Sequence, residues 1–349
     1  MSYENSTEST TITAITSTNI RNSSQTVSSA VTALLGMQPP VIILVWFEIM
    51  SAGIVYGFGF IGNLIVSVIF LSREDFRTMS TGVLFLLLTL FNTVHLWTLT
   101  TEFLGIFNIY VYSGAFLQCR LNYFAQNVSR TVSTYISITV TLDRLIRSEY
   151  PVTSRRICTC KNAIKSTIAY LIISSISYSF WFCPSNSINS YTGACTTGPT
   201  SAYTFFFSNV FLPLRLIFIC IVPVIIMSLG NFRILYNIQQ SRRRVSQAIV
   251  ENNIAGRTSN RRTANLDRLL LRMMIINVCA FVITQVPFHI YTIVRTYNRD
   301  LGQVDALLVR TMLLVWQSIY FGIGSYFHCI ASSIFRKAFC EIIRKILFC

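Results

Sequence analysis

Six polar or ionisable side chains interrupt segments that are otherwise apolar: Glu102, Gln126, Arg130, Arg215, His289 and Arg310. A charged group in such a segment is costly against lipid, so it faces a packed interior or a water-filled cavity and needs a partner there. Gln126 and Arg130 lie one helical turn apart and share a face. The chemistry open to this set is recognition. Guanidinium groups suit a carboxylate or another anion, and Glu102 suits a basic group. The internal alternative is a pair such as Glu102 with Arg130, which satisfies both charges without any ligand. No phosphate loop, zinc-ligand spacing or serine-hydrolase motif accompanies these residues, so covalent catalysis is not expected. Cys158 and Cys160 form a C-x-C with no further ligands near, and neither a metal nor a cofactor is expected.

A second constellation sits on the third apolar stretch, with Cys119 at one end and Asp143-Arg144 at the other. At about 1.5 Å per residue the gap is roughly 37 Å, close to a bilayer with its headgroups. The cysteine then belongs to the oxidising side and the arginine to the cytoplasmic interface. Of the ten cysteines, only Cys119, Cys183 and Cys195 are placed outside. A Cys119–Cys195 bridge would hold the connection before the fifth span over the bundle, with Cys183 as partner, or free thiols, as the alternatives.

The elements that must position these residues follow from composition. With 349 residues, 52% of them hydrophobic and 12% charged, the chain has too little polar surface for a soluble globule. Apolar runs at roughly 41–71, 79–103, 117–147, 163–183, 207–238, 266–296 and 306–330 predict about seven spanning helices. The formal charge of +15 does not mark a nucleic-acid protein, because its arginines and lysines gather in alternate connections. Arg73 and Arg77, Arg155, Arg156 and Lys161, the run from Arg242 to Arg262, and Arg336 to Lys345 all fall on one side, which is cytoplasmic by the positive-inside rule. The amino terminus is then extracellular and the chain multi-pass in the plasma membrane.

Residues 1–38 are dominated by Ser and Thr and read as a disordered outer tail, glycosylated at Asn5 and Asn22. A third sequon at Asn127 falls inside a span, out of reach of glycosylation. No cleavable signal peptide is expected, since the first apolar run is too long and begins too late. The membrane domain spans 39–331. The inner connection at roughly 239–265 is polar, arginine-rich and expected to be mobile. Residues 332–349 place Ile334, Phe335, Ala338, Phe339, Ile342 and Ile346 on one face, as in an amphipathic helix lying on inner-leaflet lipid. Cys340 and Cys349 there are either palmitoylated or free.

Several landmarks occur in one order: Gly62-Asn63 with Val66, Cys119, Asp143-Arg144, Pro223, Phe281 with Pro287-Phe288, and Phe335-Arg336. In this register the chain resembles the rhodopsin-like G-protein-coupled receptors over about residues 50–340. Its general style, including Ser325-Tyr326-Phe327, is similar to invertebrate peptide receptors of the FMRFamide-receptor type. The departures are equally specific. Asn92 stands where the family carries an aspartate, and Leu145 where a tyrosine is common. Thr284-Gln285-Val286-Pro287 lacks the family's tryptophan, Gly324-Ser325-Tyr326-Phe327-His328 replaces Asn-Pro and a terminal tyrosine, and Asn231 replaces another tyrosine.

The resemblance implies an all-α membrane protein, a seven-transmembrane helix bundle with a short amphipathic eighth helix. It implies that the six interrupting residues converge on a ligand pocket. Gln126 occupies the place where amine receptors have an aspartate, which argues against a monoamine and for an extracellular peptide or a small anionic ligand. It further implies that Arg144 engages a heterotrimeric G protein and that Asp267 latches Arg144 when inactive, the plain alternative being an Asp143–Arg144 pair. His328 reads as a packed polar residue in place of tyrosine. A non-signalling scavenger of the same fold is the runner-up, because so much activation machinery is altered. A transporter or channel is disfavoured by the lack of repeated halves.

Overall fold

In the computed structural model the described residues are 39–331, apart from residues 73, 108, 113, 115, 184–185, 189–194, 198–200, 253–256 and 299–302, together with residues 336, 339–341 and 344. The side chains of residues 241–274 lie outside the description. Seven helical elements form the bundle: α1 Pro39–Ser72, α2 Ser80–Ile106, α3 Asn122–Glu149, α4 Cys160–Ser177, a composite α5, α6 Arg257–Tyr297 and α7 Gln303–Ala331. α5 is a continuous run of five pieces, Ser201–Phe205, Phe206–Phe211, Leu212–Leu216, Ile217–Ile221 and Val222–Asn252, alternating α and π turns. Short helices at Glu74–Arg77 and Pro151–Ile157 close the inner connections after α1 and α3.

Length and composition suit α1, α2, α5 and α6 to cross a membrane, with a shorter apolar stretch at Leu308–Gly324 in α7. Their lipid faces carry Trp46, Phe47, Phe58, Leu229, Phe232 and Ile283, all well exposed. α3 is different, because it runs through the middle. Asn122, Gln126, Ser129, Arg130, Ser133, Ser137, Thr141 and Asp143 are all buried. Hydroxyls that would be costly in an apolar interior donate instead to carbonyls one turn back: Thr134 to Arg130, Ser137 to Ser133, Thr141 to Ser137.

Lipid is as apolar as the core, so packing and interhelical hydrogen bonds hold the bundle together. Phe103 of α2, Phe281 and Phe288 of α6, and Leu314, Tyr320 and Phe321 of α7 share one cluster. α1 meets α7 where two glycines touch: a Cβ at Gly322 would lie 3.1 Å from the Gly59 Cα, so both helices need glycine there. Asn63 Nδ2 donates to the Phe321 carbonyl at 3.2 Å close by, giving the Gly62-Asn63 landmark a structural reason.

The prolines shape the outer halves. A helical proline frees the carbonyl four residues earlier and clashes with it. Pro213 and Pro223 each lie two positions beyond the end of a π segment that contains that carbonyl, so the widened turns of α5 relieve the clash. In α6 the remedy is tertiary. Pro287 frees the Ile283 carbonyl, and Trp316 of α7 donates its indole Nε1 to it at 2.8 Å.

Two elements differ from the sequence reading. α5 continues to Asn252 and α6 begins at Arg257, so much of the polar inner connection is helical, in keeping with its content of Arg, Gln, Ala and Glu. The connection between α4 and α5 holds a small antiparallel hairpin, β1 Asn186–Ile188 with β2 Cys195–Thr197, in register Ile188 to Cys195. β1 packs on the π turn Phe116–Leu121 that leads into α3. In the C-terminal segment the described residues are helical, with Phe339 against the Val66, Ile69 and Phe70 cluster of α1 and Arg336, Glu341 and Arg344 exposed.

Candidate functional site

α2, α3 and α7 bring together one polar group near the C-terminal end of α2 and the N-terminal ends of α3 and α7. Glu102 is buried on α2. Its Oε1 accepts Arg310 Nη2 of α7 at 2.7 Å and the Tyr123 hydroxyl of α3 at 3.3 Å, and its Oε2 accepts Gln126 Nε2 at 2.5 Å. One carboxylate thus ties three helices. The internal pairing expected of Glu102 falls to Arg310 and not to Arg130. Tyr123 is held flat against Trp181, ring centroids 5.1 Å apart.

Arg130 turns one layer deeper. It is 1% exposed, and its Nε donates to His95 Nε2 of α2 at 3.4 Å. A guanidinium has no acceptor, so His95 Nε2 must be unprotonated and Nδ1 carries the proton, facing the Ser129 hydroxyl at 3.3 Å. Arg130 Nη1 is buried without a hydrogen-bond partner. Its Cζ lies 5.7 Å from the Phe288 ring centroid, and Arg215 Cζ of α5 lies 5.9 Å from that centroid. Arg215 Nε and His289 Nε2 are likewise buried and unpartnered. Of the six residues singled out by sequence, Glu102, Gln126 and Arg310 form one group. Arg130 and Arg215 share Phe288, and His289 is its neighbour on α6.

Sequence reasoning missed His95, Tyr123, Phe288 and Gln317 as parts of this region. The rule that found His289 applies equally to His95, a histidine inside an apolar run. Gln317 carries no such charge signal; its carbonyl accepts Gln285 Nε2 at 2.9 Å, while its own amide atoms have no partner.

Toward the C-terminal end of α3 Asp143 is buried and both its oxygens are engaged. It accepts Ser80 Oγ at 2.7 Å, Thr81 Oγ1 at 2.7 Å and Arg147 Nε at 2.9 Å. These contacts bind α3 to the start of α2. Arg144 is half-buried, and the Asp267 side chain proposed as its latch lies outside the described residues, as does that of His328. Glu149 at the end of α3 pairs with Arg233 and accepts Asn237 Nδ2 at 3.2 Å, both on α5. Hydrogen bonding from Arg233, and then from Asn237, holds the Glu149 carboxyl below the ordinary range. The C-x-C thiols serve as donors, Cys158 to the Asp143 carbonyl at 3.8 Å and Cys160 to that of Thr78 at 3.2 Å. Cys119, in the turn before α3, is disulfide-bonded and Cys183 is not; the side chain of Cys195 lies outside the described residues.

The family model described as 7 transmembrane receptor (rhodopsin family) matches residues 62–320, more than half of the chain. No curated protein matches it.

Proposed function

The chain belongs to the rhodopsin family of seven-transmembrane receptors, and we propose that it transmits binding of an extracellular peptide to a heterotrimeric G protein. The observation that carries this reading is the polar group where α2, α3 and α7 meet, the buried Glu102 and Gln126 with the partly exposed Arg310, and Arg130 one layer deeper on the same helix that ends in Asp143-Arg144. The outer cluster is large, multi-helix and mixed in charge, which suits a ligand with several polar groups rather than a simple amine. On this reading Arg144 contacts the G protein in an open state, and ligand binding shifts the population toward that state.

The topology we propose has an extracellular N-terminal tail of residues 1–38 glycosylated at Asn5 and Asn22, a membrane domain of 39–331 and an inner-leaflet helix of 332–349. Cys119 bridges Cys195 in this scheme. Support comes from the bonded state of Cys119, the absence of Cys183 from any disulfide and the packing of the hairpin that carries Cys195 against the turn that carries Cys119. An Arg144–Asp267 contact in the closed state belongs to the same proposal.

The test is a peptide and small-metabolite screen on surface-expressed receptor with a promiscuous G-protein readout. A peptide that drives nucleotide exchange supports the reading, and Arg144→Ala abolishes that response at equal surface expression. The second reading, a scavenger of the same fold, is favoured by Asn92 being hydrogen-bonded directly to Ser133 and by Gln285 in place of the family's tryptophan. It becomes the better account if a ligand binds and no G protein responds.

A further inference from the structure

We propose that the ligand presents an anionic group, in the simplest case a carboxylate, to Arg130 and Arg215 beside the Phe288 ring, and that the Glu102–Arg310 pair takes no part in that charge recognition. The inference rests on the receptor reading for its choice of site and adds the chemical class of what binds there.

Charge accounting separates the two groups. Glu102 answers Arg310, and both its oxygens are engaged: Oε1 by Arg310 and Tyr123, Oε2 by Gln126. Three of its roughly four acceptor sites are taken and its charge already answers Arg310, so it is less open to a cationic ligand than an unpaired carboxylate would be. Arg130 and Arg215 form no ion pair among the described residues. Arg130, on the central helix and 1% exposed, uses Nε on a neutral imidazole and leaves Nη1 unpartnered. Glu48, a buried carboxyl on α1, also has an unpartnered oxygen but pairs with neither arginine.

The donors share one neighbour. Both guanidinium groups lie against the one Phe288 ring, and His289 follows it with an unpartnered Nε2. Buried donors left unsatisfied in a low-dielectric interior are costly, and a guanidinium is suited in shape to a carboxylate, sulfate or phosphate. A cationic ligand group here would meet two like charges. A neutral one would satisfy donors without answering charge. Because Phe288 directly follows Pro287, an anion held by the two guanidinium groups beside the ring lies next to the proline of α6, and so links α3, α5 and α6.

The experiment uses the full chain in lipid nanodiscs and probes sharing one aromatic body: phenylacetate, phenyl sulfate and phenyl phosphate against phenylacetamide and phenethylamine. The readout is Tm over millimolar titrations. At least one anion is expected to raise Tm, with the amide and amine weaker by about tenfold or more in apparent affinity. Arg130→Gln and Arg215→Gln each remove most of that stabilisation, while Arg130→Lys retains part of it. Arg130→Gln also raises the Tm of the unliganded protein, because it removes a buried charge with no ion-pair partner among the described residues; an arginine with a purely structural role would lower it.

Equal stabilisation by the amine or amide, no stabilisation by any anion, or an anion effect untouched by both glutamine variants overturns the proposal. If Arg130→Gln does not fold, Arg215→Gln and Arg130→Lys decide. Tm does not depend on a G protein, so an anion effect without nucleotide exchange removes the signalling reading and leaves the anion site. Exchange driven only by cationic peptides does the reverse.

Discussion

Replacing Arg310 and replacing Glu102 should have unequal costs although they break the same 2.7 Å ion pair. The side chain of Glu102 is 7% exposed and that of Arg310 42%. Arg310→Gln strands a buried carboxylate with only Gln126 and Tyr123 as donors, near the range of about 3 kcal/mol for a broken buried pair. Glu102→Gln leaves a guanidinium that is already half in solvent and can turn outward, so its cost is about 1 kcal/mol, closer to that of an exposed pair. A double-mutant cycle with both changes should give a coupling of about 2 kcal/mol, between the exposed and buried limits. The measurement is thermal unfolding of the four proteins in nanodiscs, at low and high salt, since a half-exposed pair is partly screened. The Arg310 variant should unfold several degrees below the Glu102 variant. A reversed order, or a coupling under about 0.5 kcal/mol, would show that Arg310 is solvated and that Glu102 is held by Gln126 and Tyr123 alone.

Trp316→Phe keeps the ring and removes the donor to the carbonyl freed by Pro287, so it should cost about 1–2 kcal/mol and increase hydrogen exchange in α6 around Ile283; unchanged exchange there refutes the cap. Glu149→Gln should loosen α3 from α5 at the inner face and raise basal nucleotide exchange at neutral pH. Because its carboxyl sits below the ordinary range, the native contact persists at neutral pH and is lost only as pH falls through that lowered value. A native receptor whose basal exchange is flat on acidification, with a silent Glu149→Gln, would exclude this role. Cys195→Ser should free a Cys119 thiol to alkylating reagent and lower surface expression, whereas Cys183→Ser should leave both unchanged; labelling of Cys119 in the Cys183 variant instead would reassign the bridge.

The seven spans were legible because each is a long apolar run, and even α3, rich in Ser and Thr, was bounded by Cys119 and Asp143-Arg144. What the sequence could not supply was rotation. Glu102 and Arg310 were both visible as anomalies, but which arginine Glu102 meets depends on how α2, α3 and α7 are turned. Gln126 and Arg130 share a face, yet Gln126 reaches Glu102 while Arg130 reaches His95 one layer deeper. The hairpin was invisible because three-residue strands carry no periodicity and are defined only by each other. Trp316 looked like an ordinary aromatic residue of a membrane helix. Its role appears only when α7 is laid beside the proline of α6.

Polar contacts along α3 form a ladder from its outer to its inner end, and this accounts for a composition unlike that of its neighbours. Gln126 bonds Glu102, Ser129 and Arg130 bond His95, Ser133 bonds Asn92, Ser137 faces the Tyr320 hydroxyl at 3.3 Å, and Asp143 takes Ser80 and Thr81. From Gln126 to Ser137 the rungs recur at three- and four-residue intervals and so lie along one face of the helix; Asp143, six residues on, lies off that face and reaches the start of α2. Most partners come from α2. An apolar α3 could slide or rotate against α2 with little change in contact, because packed aliphatic surfaces have many near-equivalent registers. A ladder of discrete hydrogen bonds has few, since a partial shift leaves buried groups unsatisfied at several levels at once. α2 and α3 therefore act as one rigid unit, and rearrangement on binding falls to the elements that touch it less specifically: α5, with its π turns, and α6, joined to α7 at Trp316 and Gln317. Arg130 stands where these two parts meet, bonded to His95 on the rigid side and facing Phe288 on the movable one.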